Sequence, residues 1–136
     1  MTMAAIFTAI RERWEAQVAT PSVLPTVYDN APEPTKAAQW ARLSVQIDST
    51  AQASMGVPVR YRSRGAAVVA LVTSAEKGDA ALLTLIDAIV TGFRGVTLTT
   101  PEIRFDSPTP IGSPVIDGPW FTRTVRIPFI ADTYLS

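Results

Sequence analysis

One glycine divides the stretch that most constrains how this chain can fold. Residues 57–73 read VPVRYRSRGAAVVALVT, and the pattern changes character at Gly65. Before it, Arg60, Arg62 and Arg64 fall on one side of an extended strand and Val59, Tyr61 and Ser63 on the other, because successive side chains of a strand point to opposite faces. After it, Ala66, Val68, Ala70 and Val72 point one way and Ala67, Val69, Leu71 and Thr73 the other. Both sets are apolar or small, so this half is expected to be covered on both faces. A strand that leaves a polar setting and enters a core suggests a sheet running beyond the body of its own subunit. Such an extension needs a neighbour.

The chain around this strand has 136 residues, the size of one domain with a single hydrophobic core, here taken as residues 1–136. Twelve basic residues balance twelve acidic ones, so whole-molecule attraction to nucleic acid or an anionic membrane has no support. Charged residues make up only 18%, which leaves apolar surface to meet other chains. With no cysteine, disulfides and thiolate metal sites are excluded. With no histidine, Ser/His/Asp triads and histidine–zinc sites are excluded too. No apolar run approaches the roughly 20 residues of a membrane span, and no basic leader opens the sequence. The expectation is a soluble, unexported protein.

Residues 4–19 place Ile6, Phe7, Ile10, Trp14 and Val18 at helical spacing, with Thr2 as N-cap and Pro21 ending the pattern. Four prolines between 21 and 37 leave room for only a short strand over 26–29. Residues 40–48 alternate as a half-buried strand, with Leu43, Val45 and Ile47 on one side, and a hairpin loop over 49–58 follows. Asp79 is placed to cap a second helix that runs to about Phe93. Its inner stripe is Leu82, Ile86, Ile89 and Phe93, widened by Leu83, Leu85 and Val90, with Gly92 or Gly95 as the stop. Strands are expected over 96–99, 102–105 and 120–130, with a Pro/Gly loop over 107–114. The order of elements predicts an α+β fold, a mainly antiparallel β-sheet with two α-helices packed on one face.

No catalytic or metal-binding pattern emerges. Asp29, Asp48, Asp87, Asp106, Asp117 and Asp132 sit in contexts that read as turns and strand ends, where Asp serves the backbone, and calcium-loop spacing is absent. None of the glycines forms a phosphate-cradling turn between a strand and a helix. Trp14, Trp40 and Trp120 each adjoin an amphipathic element and read as core or interface anchors. Arg60, Arg62 and Arg64 admit three readings: a solvated face that discourages edge aggregation, a subunit contact with carboxylates such as Asp29, Glu33 or Asp48 of a neighbour, or weak phosphate contacts.

Taken together, IFTAIRERW, YDNAPEP, WARLSVQI, VRYRSRGAAVVALV, DAALLTLIDAIVTGF and GPWFTRTVRIPFIADTY, in this order and at this length, resemble the tail terminator proteins of long-tailed, lambda-like bacteriophages. The resemblance spans nearly the whole chain. It implies a non-enzymatic virion protein without a cofactor, made in the host cytoplasm and residing in the tail or neck. It further implies a homohexameric ring that caps the tail tube, stops its polymerisation and joins it to the head connector or stopper protein. DNA would pass through the lumen without sequence-specific binding, and no membrane is involved. Candidate subunit or lumen contacts are Arg60, Arg62, Arg64, Asp48 and Met55. The loops over 49–58 and 107–119 are expected to project, to be mobile in an isolated subunit and to order against partners. A neck connector or tube subunit, or a small-ligand-binding α+β module, is the alternative.

Overall fold

Two sixteen-residue strands, β3 (Val59–Ser74) and β7 (Trp120–Leu135), lie antiparallel along their whole lengths, and the rest of the protein is laid on them. The computed structural model describes residues 3–22, 24–28, 39–52, 55–56, 59–74, 78–99 and 102–135. On the far side of β3 runs β2 (Gln39–Gln52), antiparallel, with β1 (Thr26–Tyr28) parallel beyond it. The other side of β7 is shared by two partners: β6 (Thr109–Asp117) pairs its first half, and β5 (Glu102–Phe105) its second, with β4 (Thr97–Thr99) outermost. The result is one seven-stranded sheet. The fold is α+β, as expected.

Both helices pack on the same face. Helix α1 (Met3–Trp14) buries Ile6, Ile10 and Trp14, and its last turn continues as a π-helical segment, Glu15–Ala19, that buries Val18 and Ala19. Helix α2 (Gly78–Phe93) buries Leu82, Leu85, Ile86, Ile89 and Phe93. Beneath them the sheet contributes Ala67, Val69 and Leu71 from β3 and Val125, Ile127 and Phe129 from β7, the odd-numbered set of each strand. The edge-to-face contact of Phe93 with Phe105, centroids 5.1 Å apart, ties α2 to β5. Where the helices cross, Gly92 lets them approach closely: a β-carbon there would lie 3.0 Å from Cβ of Gln17. The guanidinium of Arg13 donates through Nε and Nη2 to the Gly92 carbonyl at 3.0 and 2.8 Å, fixing the crossing. Helix α2 stops at Gly95, whose φ of 67° is a left-handed conformation that most side chains resist.

Several boundaries differ from expectation for identifiable reasons. Phe7 and Leu83 are 40% and 46% exposed because each lies on the outer rim of its helix's apolar stripe, beyond the sheet's reach. Strand β2 extends four residues past Asp48, so the polar stretch 49–52 is strand and only 53–58 connects β2 to β3. The Pro/Gly-rich stretch from 109 to 117 is an edge strand rather than a loop. Pro110 is tolerated because an edge strand leaves one row of N–H groups unused, and a bulge between Ile111 and Val115, with Gly112 at φ 69°, absorbs the turn-forming residues. Strand β7 runs five residues past Ile130. The expected cap Thr2, the side chain of the expected cap Asp79, and the segment with Asp29 and Glu33 lie outside what the structure describes.

The expectation of cover on both faces of β3 is met in part. The helices occupy only the face of Ala67, Val69 and Leu71, and no described element lies over Ala66, Val68, Ala70 and Val72. Ala66 and Val72 are nevertheless buried, flanked in register by Gln46 and Pro128, and by Trp40 and Thr122, whereas Val68 and Ala70 remain half-buried.

Candidate functional site

The even-numbered residues of β3 and β7 emerge on this open face, and toward the β2–β3 hairpin they become charged. In register, Arg62 lies across from Asp132, which in turn lies across from Glu102, and the next row reads Arg64, Ile130, Arg104. The alternation that puts Arg60, Arg62 and Arg64 on one side in the sequence is thus realised, but the three meet different surroundings. Arg62 is half-buried and forms a two-pronged contact with Asp132, Nε donating to Oδ1 at 2.9 Å and Nη2 to Oδ2 at 3.3 Å. Asp132 itself is buried, with Arg104 Nη2 3.9 Å from Oδ2. The Arg62 hydrogen bonds hold this carboxyl below the usual carboxylate range; burial works against that shift, and Arg60 and Arg104 add to it. Arg64 is exposed, and no described residue pairs with it.

The strand ladder is interrupted beside this cluster. Asp48 occupies the bulge where the β2–β3 register shifts between Ile47 and Ser49, and Gly65 stands opposite. A β-carbon on Gly65 would drive into the carbonyl oxygen of Gln46, so the residue at which the sequence pattern changes must be glycine. From the bulge Asp48 accepts a 3.3 Å contact from Nη2 of Arg126, an exposed pair. Between these groups lies an open cleft of about 410 Å³, lined by Arg64, Arg104, Arg126, Asp48 and Asp106 and floored by Pro128 and Ile130. Its chemistry is that of guanidinium forks over an apolar floor, suited to an oxyanion carried on an apolar partner surface.

Sequence reasoning found Arg60, Arg62, Arg64 and Asp48 but missed Asp132, Arg104 and Arg126. Asp132 was expected to serve the backbone at a strand end; it lies near the end of β7 but still inside the strand, where its side chain takes the Arg62 fork 70 residues away. Had the alternation of Phe129 and Ala131 been carried past Ile130, Asp132 would have fallen on the arginine face. Met55, at the hairpin tip, is 96% exposed and is not part of the cleft lining.

A second polar group ties α1 to β1. The Trp14 indole donates to Thr26 Oγ1 at 2.9 Å, the Tyr28 hydroxyl donates to Glu15, and the Arg11 guanidinium lies 4.1 Å over the Tyr28 ring. Burial, then Glu15, pushes the Tyr28 phenol up. This cluster is structural: every member is engaged by another. Among the described residues no group of acidic side chains is placed to hold a metal ion, and no helix is long and apolar enough to cross a membrane.

Residues 3–129 match the family described as phage tail terminator protein. The chain belongs to that family. No curated protein matches it. A solved structure shares the fold at a TM-score of 0.78 with 17% sequence identity, covering 100% of this chain and 99% of the other. At that identity the likeness speaks for the architecture alone. The phage tail terminator family gives the protein a structural role in the phage tail.

Proposed function

We propose that this protein forms a hexameric ring on the end of the tail tube, ends tube polymerisation and joins the tail to the head connector. Family membership over residues 3–129 carries the reading. A domain with an open, charged sheet face fits a protein that acts by assembly. Bound to the last tube ring, such a subunit offers no surface for the next tube subunit, so growth stops by exclusion. The free side of the ring then receives the connector, and DNA crosses the lumen without its sequence being read.

Phage particles made without this protein are the test. Electron microscopy is expected to reveal tails of unregulated length and heads without attached tails, both reversed by supplying the protein in trans. Tails of normal length joined to heads would overturn the reading. Purified protein that grew into long tubes unaided would reassign it as a tube subunit.

A further inference from the structure

The cleft on the open face and the outer stripe of α2 are complementary in charge, apolarity and spacing. Helix α2, GDAALLTLIDAIVTGF, contains two carboxylates and no basic residue. Its solvent side presents Leu83, a large apolar side chain left 46% exposed, and one turn later the exposed Asp87. Residues four apart on a helix are about 6 Å apart along its axis. On the sheet, Pro128 and Ile130 floor the cleft about 6.6 Å apart, as alternate residues of a strand are. Arg64 and Arg104 flank Ile130 in register. A helix laid along β7 could seat Leu83 on Pro128 while Asp87 meets the forks of Arg64 and Arg104.

We propose that the cleft receives α2 of a second copy of this chain, Asp87 of one copy pairing with Arg64 and Arg104 of the next. Arg64 is the natural anchor, being exposed and unengaged by any described residue. Because α2 lies behind the sheet and the cleft in front, the contact is head-to-tail, the kind that closes into a ring when its rotation permits. The inference rests on the ring reading for its context, but the surface it names can fail while that reading stands.

Two measurements on the full chain test it. In sedimentation across a concentration series, Arg64→Glu and Asp87→Arg are each expected to weaken self-association at least about tenfold, as misplaced charge at an interface does. The double variant, with the charges exchanged, is expected to recover most of that loss. Circular dichroism on each variant establishes that it is folded; should Asp87→Arg misfold, Asp87→Asn takes its place as a single variant. The second measurement uses the absence of cysteine. Arg104→Cys and Thr84→Cys variants, mixed and treated with a short bis-maleimide, are expected to give a crosslinked dimer absent from either variant alone. Association that survives both charge reversals, with no mixed crosslink, would overturn this contact and leave a ring built through another surface. A wild-type chain that does not associate, together with no crosslink between the two cysteine variants, overturns it as well. If Arg64→Glu instead abolished binding to a short DNA duplex while association was untouched, the cleft would be a phosphate site and the proposal wrong.

Discussion

At the scale of single residues, Asp132 shows how a carboxylate is kept charged inside a strand. With little water of its own, it depends on the Arg62 fork, supported by Arg104 and Arg60. Removing one member of a fully buried ion pair costs about 3–5 kcal/mol, but Arg62 keeps part of its hydration, so Asp132→Asn is expected to cost about 1.5–3 kcal/mol. Because folding lowers the Asp132 pKa, its contribution is complete above the ordinary value of 3.8 and is lost as pH falls through the lower folded value. Denaturant midpoints of wild type and Asp132→Asn should therefore differ by a constant amount from neutral pH down to about 3.8 and converge as pH falls below it. A difference that held constant into strong acid would show that the ion pair is not its source. Gly65 makes a steric demand of the same locality. Gly65→Ala sets a methyl against the Gln46 backbone, and we expect a loss of about 1–3 kcal/mol, seen as a lowered denaturation midpoint.

Among the elements, α2 separates cleanly into an inner and an outer side. Ile89 is fully buried, so Ile89→Ala should cost about 2–5 kcal/mol, while Leu83→Ala, on the solvent side, should change stability by no more than about 0.5 kcal/mol. Equal losses in chemical denaturation would mean the helix is rotated from the orientation described. The inner stripe Leu82, Ile86, Ile89 and Phe93 was legible because a period of 3.6 repeats over four turns. Leu83 was misread because composition marks a residue as apolar but cannot mark the edge of the sheet beneath it. Strand β6 was hidden for a different reason. Pro110 and Gly112 are loop residues by local preference, and only pairing with β7, a tertiary fact, makes them an edge strand with a bulge. The site was half legible. Alternation places three arginines on one face, but the partners that shape the cleft come from β5 and from the middle and far end of β7, and register between distant strands is written in no local pattern.

For the whole molecule, length is the organising quantity. Strands β3 and β7, sixteen residues each, span about 53 Å, whereas α2, also of sixteen residues, spans only about 24 Å. The helix layer therefore cannot follow the sheet to its end. Residues 49–52, 59–62 and 133–135 continue as a three-stranded ribbon beyond the densest packing, with Val59, Tyr61 and Thr133 only half-buried on the helix side. The free energy of local opening grows with the apolar surface that opening exposes to water, so stability should fall along each long strand from its centre toward this end. Amide hydrogen exchange of the isolated chain should show it within single strands. Protection over 66–72 and 124–130 is expected to approach the global unfolding free energy, with 59–62 and 133–135 exchanging faster. In the assembled tail, packing against the ribbon's open face should raise its protection toward that of the centre, since order supplied by a neighbour replaces order the chain lacks alone. Uniform protection along β3 in the isolated chain would show that the ribbon is stable by itself, and that the strand's length has no need of a neighbour.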